Sequence, residues 1–175
     1  MYSFPVDVDS EASEHPWYAV RTRSNHERTS ANMLACQGYQ QYLPCYKVRR
    51  RWSDRTVETS LPLFSGYVFC RFDAKRRTPV LSTPGVVSIV SFGGEPTAID
   101  HAEIEAIRVV LHSGLAAEPC PFLQQGQSVR IKSGVMKGIE GILLRKKADW
   151  RLVVSVTLLQ RSISVEVDHD SIACA

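Results

Sequence analysis

Cysteine and histidine are the residues of this chain best suited to covalent or metal chemistry, and their spacing matches no catalytic or metal-binding pattern. His26 and Glu27 are adjacent, but no second histidine follows four residues later, so a zinc-protease motif is missing. No two cysteines have the spacing of a zinc knuckle. Cys45, His26 and Asp54 could form a nucleophile, base and acid, but no motif surrounds Cys45. The sequence therefore predicts a non-catalytic protein without metal or cofactor.

Basic residues are concentrated in one stretch of the chain. The net charge of the 175 residues is only +3. Between Arg21 and Arg55, however, eight basic residues stand against Glu27 and Asp54, which gives this stretch a net charge of +6. A local field of this sign favours a polyanionic partner, with nucleic acid as the first candidate, although a solvated charged face has the same composition.

The remaining composition is that of a globular protein of a reducing compartment. The five cysteines are an odd number with no paired spacing, which favours free thiols over a disulfide framework. No apolar run approaches the ~20 residues that cross a bilayer. The acidic start of the chain lacks the apolar region of a secretory signal. These features predict a soluble, cytoplasmic protein that does not bind membranes, and nothing in them requires an oligomer.

The elements that would position these residues begin with a strand and a helix. Residues 1–15 are polar and acidic and predict a flexible leader. The aromatic and β-branched residues of 17–20 predict a strand. Ser24 and Glu27 have the spacing of a capping box at a helix start, and Gly38 predicts the helix end.

Further strands and one helix follow in the first domain. Residues 39–52 and 57–61 predict a long hairpin with Arg49, Arg50 and Arg51 near its tip. Residues 67–72 and 86–92 predict two more strands. Asp100 begins a helix whose apolar stripe contains Ile104, Ile107, Val110 and Leu111.

The end of the chain has the pattern of a small all-β domain. Residues 114–125 contain Gly114, Pro119 and Pro121 and predict a linker. Four short strand patterns then follow at close spacing. The predicted fold class is α+β, with an antiparallel sheet backed by helices in residues 16–113 and a β-barrel in residues 126–175.

Three stretches resemble the NusG family of transcription elongation factors, which have an NGN domain followed by a KOW domain with an SH3-like barrel. The stretches are Leu61-Pro62-Leu63-Phe64-Ser65-Gly66-Tyr67-Val68-Phe69, then Thr83-Pro84-Gly85-Val86 with Phe92-Gly93-Gly94 and Pro96, then Gly126-x-x-Val129-Arg130-Ile131-x-x-Gly134-x-x-x-Gly138-x-x-Gly141. Together with Trp17-Tyr18, their order and spacing extend the resemblance over residues 16–172.

The resemblance implies a polymerase-binding surface in the NGN domain. Family members bind the clamp helices of the largest polymerase subunit through an apolar depression, and Phe64, Tyr67, Phe69 and Phe92 match that surface. Strand alternation places Tyr67 and Phe69 on one face and Val68 on the other, without indicating which face is the core. The resemblance favours exposed Phe64 and Tyr67, because rigid aromatic side chains are good interface anchors.

The resemblance also implies contact with DNA at the upstream edge of the transcription bubble. Arg23, Asn25, His26 and Arg28 lie at the start of the first helix, where they would meet the non-template strand. The three arginines Arg49, Arg50 and Arg51 would reach upstream duplex from the hairpin tip.

Two departures from the family pattern concern the partners of this chain. Ser65 stands where the family usually has proline. In the barrel, Leu158, Leu159, Gln160 and Arg161 replace the Phe-Gly-Arg pattern with which general members contact the termination factor Rho or a ribosomal protein. We expect Leu158, Leu159 and Arg161 to form the partner-binding loop of this barrel. The run is similar to that of specialised relatives such as the UpxY and RfaH groups, which favours an operon-specialised antiterminator over a general elongation and termination factor.

Three alternatives to a polymerase factor remain open from the sequence. The barrel could bind RNA or the ribosome, and tight, salt-sensitive RNA affinity without polymerase would indicate this. The residues for this contact would be Lys132, Lys137, Arg145, Lys146 and Lys147. A thiol-dependent enzyme would lose function in Cys45→Ala. If the protein is a purely structural adaptor, replacing Arg49–Arg51 would have no effect on any nucleic-acid contact.

Overall fold

The computed structural model describes residues 15–51, 56–122, 127–146, 149–168 and 172–174, and the elements below lie within them. The α-helices are α1 (Glu27–Cys36), α2 (Thr78–Leu81) and α3 (His101–His112). The first nine strands are β1 (Trp17–Thr22), β2 (Gln41–Tyr42), β3 (Cys45–Arg51), β4 (Thr56–Pro62), β5 (Tyr67–Arg71), β6 (Val86–Ile89), β7 (Ser91–Phe92), β8 (Glu95–Pro96) and β9 (Ala98–Ile99). The last six are β10 (Ala117–Pro121), β11 (Gln127–Ile131), β12 (Glu140–Lys146), β13 (Asp149–Val156), β14 (Arg161–Val167) and β15 (Ile172–Cys174).

These elements fall into two compact units. One lies within Met1–Leu43 and Ser65–Asp100, and the other within Pro44–Phe64 and His101–Ala175. The division differs from the expected domain boundaries, since the β3–β4 hairpin and α3 group with the carboxyl-terminal strands. The assignment of residues 16–113 and 126–175 to two domains stays a prediction. Of the leader expected at 1–15, all but the last residue lies outside the described part of the chain.

The first unit is built on an antiparallel sheet with β1 in its interior. The strand order is β2-β5-β1-β6, and β9 also pairs with β1. α1 packs against β5 and β2, and α2 against β6. The apolar core between the helices and the sheet contains Tyr18, Val20, Ala31, Leu34, Val68, Cys70, Phe72, Val80 and Ile89. The antiparallel sheet backed by helices confirms the predicted α+β class.

α1 begins differently from its prediction. His26, not Ser24, is the N-cap residue, and it makes no side-chain capping hydrogen bond. Glu27 is therefore the first helical residue, too early for the third helical position that a capping box requires. The helix end is as expected, because Gly38 takes a left-handed φ of 85° that permits the chain to turn away.

Both faces of the central strands are buried. Val68 and Cys70 face the helices, while Phe69, on the opposite face, has no exposed surface. Trp17 and Ala19 of β1 are also buried. The guanidinium of Arg71 lies 4.8 Å from the centre of the Trp17 ring, a cation–π distance. The alternation of Tyr67 and Phe69 against Val68 is thus confirmed, but neither face is open.

The second unit contains a hairpin, one helix and a second sheet. β3 and β4 pair antiparallel from Cys45 opposite Pro62 to Arg51 opposite Thr56, which confirms the predicted hairpin from residue 45 onward. The prediction is wrong for residues 41–42, which form β2 and pair with β5. The predicted turn at 53–54, with Trp52, lies outside the described residues. Ile104, Ile107 and Val110 are fully buried along one side of α3, as their spacing predicts, whereas Leu111 is only partly buried. α3 packs against β13.

The second sheet is six-stranded and antiparallel, in the order β10-β14-β13-β12-β11-β15. β11 to β14 confirm the four predicted strands. The linker predicted at 114–125 is wrong for Ala117–Pro121, because this segment is β10 and pairs with β14 from Ala117 opposite Val165 to Pro121 opposite Arg161. Within the described ranges, every helix is too short or too polar to cross a bilayer.

Candidate functional site

The β1–α1 loop and the first turn of α1 contain the four residues predicted to contact the non-template strand. Arg23, Asn25, His26 and Arg28 are exposed. Asn25 has a left-handed φ of 63°, a conformation that asparagine tolerates better than most residues. The His26 N–H donates to the Arg23 carbonyl oxygen at 3.1 Å, which closes the loop into a tight turn. The loop therefore has one defined backbone course.

Two neighbouring turns hold this loop through hydrogen bonds. The Glu27 carboxylate accepts from the Gly66 N–H at 2.8 Å. The Arg23 N–H donates to the Gly85 carbonyl oxygen at 2.8 Å. The Ser30 hydroxyl donates to the Pro84 carbonyl oxygen at 3.0 Å. These bonds join the segments before and after the loop to turns that are distant in sequence.

Gly85 is required by close packing at this junction. Its φ is +87°, a conformation that a side chain disfavours. A Cβ atom at Gly85 would lie 2.5 Å from the Ser30 Oγ and 3.0 Å from the His26 Cβ. The turn that contains Gly85 therefore lies directly against the start of α1.

The predicted polymerase-binding aromatics have very different exposures. Phe64 is 1% exposed, so the expectation of an exposed Phe64 is wrong. Its side chain contributes apolar area to a core, where the hydrophobic effect favours it. Phe69 is fully buried, and its ring stacks on Tyr42 at a centroid distance of 6.4 Å. Tyr67 is partly buried, whereas Phe92 is 86% exposed.

Phe92 lies at the end of a short hairpin formed by β7 and β8. Ser91 pairs with Pro96 and Phe92 with Glu95, and Gly93 and Gly94 form the turn. The Arg77 guanidinium donates to the Glu95 carboxylate at 3.0 Å, which ties the hairpin to the segment before α2. The structure thus presents one large aromatic ring to solvent on a short, tethered hairpin.

The arginine run predicted to reach duplex DNA lies at the end of β3. The Cα atoms of Arg49, Arg50 and Arg51 pair with those of Glu58, Val57 and Thr56. Nearer the base of the hairpin, the Lys47 ammonium lies 3.1 Å from the Glu58 carboxylate. The run therefore follows an extended strand whose partner contributes at least one acid.

The predicted partner-binding loop of the second sheet is a 3₁₀ turn between β13 and β14. Thr157–Leu159 form the turn, with Leu158 and Leu159 partly buried and Arg161 exposed. Gln160 has a left-handed φ of 51°. The Thr157 N–H donates to the Glu103 carboxylate, at 3.2 and 3.3 Å from its two oxygens. The start of α3 therefore contacts this loop.

The described cysteines differ in burial. Burial raises the pKa of the Cys70 thiol to about 12, so the thiol stays protonated at neutral pH. Burial also raises the pKa of Cys120, against a lowering by a hydrogen bond from Ser164 and by Arg151. Cys45 is partly buried, and Asp54 lies outside the described residues. Across the described ranges, no three His, Cys, Asp or Glu side chains are grouped to hold a metal ion.

Sequence reasoning missed the residues that hold the β1–α1 loop. It assigned Glu27 to a helix cap and gave no role to Ser30. The available signal was the pair of glycines, Gly66 and Gly85, in two of the motif stretches, because a glycine in a turn indicates a positive φ or a close approach. It did not indicate which carboxylate or hydroxyl would meet each turn.

Comparison with known proteins agrees with the fold and the motifs. Residues 15–108, more than half of the chain, match the family model NusG, described as transcription termination factor nusG. The transcription termination/antitermination protein NusG of Helicobacter pylori strain 26695 is 22% identical over 174 residues, covering 89% of this chain and 96% of that protein. The corresponding protein of strain J99 is 21% identical over 171 residues, with the same coverage.

A solved structure described as "Domain interaction in Thermotoga maritima NusG" has the same fold. Its TM-score is 0.55 at 21% sequence identity, covering 93% of this chain and 98% of that chain. The resemblance inferred from the three motif stretches is confirmed. The chain belongs to the NusG family of transcription termination factors.

Proposed function

We propose that this protein is a transcription elongation factor that binds RNA polymerase and promotes processive elongation and antitermination in particular operons. The observation that best supports the proposal is the exposed β1–α1 loop of a chain of this family. The loop presents Arg23, Asn25 and His26 on a hydrogen-bonded support, and Arg28 follows in the first turn of α1. Arginine binds phosphate, and asparagine can hydrogen-bond to a base edge. The loop suits a single strand of DNA in the transcription bubble.

The polymerase partner is proposed from the family motif and the exposed aromatics. Phe92 and Tyr67 have surface available for the clamp helices of the largest subunit. Phe64 and Phe69 match the same family motif but are buried in this structure, so the proposed direct contacts are Phe92 and Tyr67.

The arginines of the hairpin supply a second proposed DNA contact. Arg49, Arg50 and Arg51 stand at consecutive positions of β3, so their positive charge is dense. Contacts of this kind are made to phosphates and depend strongly on salt. The proposed partner of these arginines is the DNA duplex upstream of the transcription bubble, and we expect the contact to be independent of DNA sequence.

Specialisation for particular operons is proposed from the β13–β14 loop. Leu158 and Leu159 are aliphatic where general family members have an aromatic residue. A contact with Rho or a ribosomal protein would therefore be made without that aromatic ring. Arg161 is exposed at the start of β14, directly after this loop, and is the proposed contact with another partner.

The test is a pull-down of bacterial core RNA polymerase by wild type, Phe92→Ala and Tyr67→Ala, followed by single-round transcription across a terminator. We expect both variants to lose polymerase binding by about tenfold or more, and read-through to fall with it. Val87→Ala is the matched control, because Val87 is 53% exposed on β6 and has no proposed contact. Absence of polymerase binding by folded wild type would contradict the proposal and favour RNA binding through Lys132 and Lys137.

A general elongation and termination factor is the second candidate, because both Helicobacter pylori relatives are named termination/antitermination proteins. Adding Rho to the same transcription assay separates the two functions. A general factor would increase Rho-dependent termination on any template. A specialised factor would increase read-through and would leave Rho-dependent termination unstimulated.

A further inference from the structure

We propose that Glu27 is a positioning residue for nucleic-acid binding, acting as a latch that fixes the β1–α1 loop without itself touching DNA. The inference rests on the proposed function of the loop. Glu27 is only 4% exposed, yet its carboxylate does not cap its own helix. It accepts instead from the N–H of Gly66, 39 positions along the chain. A buried carboxylate is costly unless hydrogen-bonded, so this bond satisfies the group and ties two segments together.

The latch works together with a second attachment on the other side of the loop. The N–H of Arg23 donates to Gly85, and the N–H of Thr22 donates to the Gly66 carbonyl oxygen at 2.8 Å. Gly66 is therefore hydrogen-bonded to residues on both sides of the loop. Its carbonyl oxygen accepts from Thr22 before the loop, and its N–H donates to Glu27 after it. Between these anchors, only Arg23 to His26 remain outside the core.

Fixing the ends of the loop matters because Asn25 holds a left-handed backbone. A non-glycine residue at φ 63° is less stable than in the common regions, and such a conformation persists when its surroundings impose it. If the Glu27–Gly66 hydrogen bond is lost, the loop can adopt other backbone conformations. The polar side chains of residues 23–26 are then no longer held in one orientation. DNA binding then has to order the loop, and this entropic cost lowers the affinity for DNA.

The closing experiment uses full-length protein on reconstituted elongation complexes whose non-template strand carries a photoreactive thymidine analogue. Crosslink yield to the factor is measured at saturating factor, together with polymerase affinity. We expect Glu27→Ala to lower the yield about tenfold with polymerase affinity within about twofold of wild type. Glu27→Gln keeps an acceptor of the same shape and should retain most of the yield.

Arg23→Ala separates failure of the latch from failure of the proposed function. If Arg23→Ala crosslinks as well as wild type, the loop does not contact DNA and the proposed function of the loop fails. If Arg23→Ala loses the crosslink while Glu27→Ala keeps it, the latch is refuted and the DNA contact stands. Amide hydrogen exchange at Gly66 gives a direct readout, because Glu27→Ala should speed it and Glu27→Gln should largely restore protection.

If Glu27→Ala does not fold, a glycine pair tests the premise of the inference at the second attachment of the loop, Gly85. Gly85→Ala places a methyl group against Ser30 and His26, whereas Gly138→Ala, at a similar φ of +89°, meets nothing within 4 Å. Both variants carry the same backbone strain, but only Gly85→Ala displaces the loop support. The inference requires a held loop, so the crosslink yield should be lower in Gly85→Ala than in Gly138→Ala. Equal yields would show that loop support does not affect the DNA contact, and this would overturn the role given to Glu27.

Discussion

Burial controls the reactivity of the individual cysteines. Cys36 is exposed on α1, whereas Cys70 is buried in the core with a pKa of about 12. Because the thiolate is the nucleophile, only about one Cys70 thiol in ten thousand would be ionised at pH 8, even if it were accessible. We expect iodoacetamide at pH 8 to label Cys36 within minutes and Cys70 only after denaturation, as read by peptide mass spectrometry. Rapid native labelling of Cys70 would contradict its burial.

The same buried thiol makes stability depend on alkaline pH. The pKa of Cys70 rises from 9.0 to about 12 on folding, so between these values the unfolded chain ionises and the folded chain does not. The stabilisation is complete below pH 9 and is lost as pH rises through this window. We expect the free energy of unfolding to fall by about 1 kcal/mol between pH 9 and 10.

Urea denaturation at pH 8.5 and 10 measures this loss, with Cys70→Ala as the comparison. The variant should be less stable at both pH values but should lose less between them. Burial raises the pKa of Tyr18 and of Tyr39 as well, so a residual decline above pH 10 is expected in the variant. An unchanged decline in Cys70→Ala would assign the effect to other groups.

Burial of single aromatic residues is the part of the site that the sequence could not predict. Alternation separates Phe69 from Val68 correctly, but it does not indicate that both faces of β5 are covered. Phe64 follows the end of β4 in a turn, where no periodicity applies. Phe92, in contrast, stands beside Gly93 and Gly94, and a residue at a glycine turn is expected to be exposed, as it is.

At the level of elements, close strand approach makes Gly141 necessary. A Cβ atom at Gly141 would overlap the Val153 carbonyl oxygen on β13. This oxygen cannot move without disturbing the backbone hydrogen bonds between β12 and β13. We expect Gly141→Ala to lower the free energy of unfolding by about 1–3 kcal/mol. Ser128→Ala, on an exposed position of β11, is the control and should change stability by less than about 0.5 kcal/mol. Thermal or urea unfolding that gives equal values for both variants would contradict the packing argument.

The error in the predicted linker has a physical explanation in β10. Pro119 and Pro121 lack N–H groups and normally argue against a strand. β10, however, lies at the end of the sheet order, where one side of the strand needs no partner, so proline is tolerated. An ion pair between Arg151 and Glu118 at 3.2 Å further attaches the strand. Composition predicts a linker here because it contains no information about edge position.

At the scale of the whole molecule, local periodicity predicted the individual elements, and the order and spacing of the motifs predicted the family. The strand–helix start, the hairpin, the stripe of α3 and the four strands after residue 126 were all predictable, because each depends on local periodicity. The grouping of the β3–β4 hairpin with α3 was not, since it depends on contacts between segments distant in sequence.

The carboxyl-terminal sheet is expected to keep its strands in the free protein. β13 and β14 pair over seven positions, and Val153, Val154, Ile163 and Val165 on them are buried. β-branched residues favour strands over helices, so conversion to a helical hairpin would lose both pairing and propensity. Backbone chemical shifts of the isotope-labelled full chain should indicate strand at 128–167 outside the turns. Helical shifts across β13 and β14 would refute this prediction.

The register of β1 has a consequence for the chain during its synthesis. Among the described strands β1 is made first, yet Trp17 pairs with Ile99, and that partner is translated about 80 residues later. At translation rates of about 5–20 residues per second, the wait lasts roughly 4–16 seconds. During that time β1 has no completed sheet to join, so its apolar side chains and its unpaired edge stay exposed. A chaperone or another nascent chain could bind this edge. Slower translation of residues 23–99 would lengthen this period and should increase aggregation of the newly made protein.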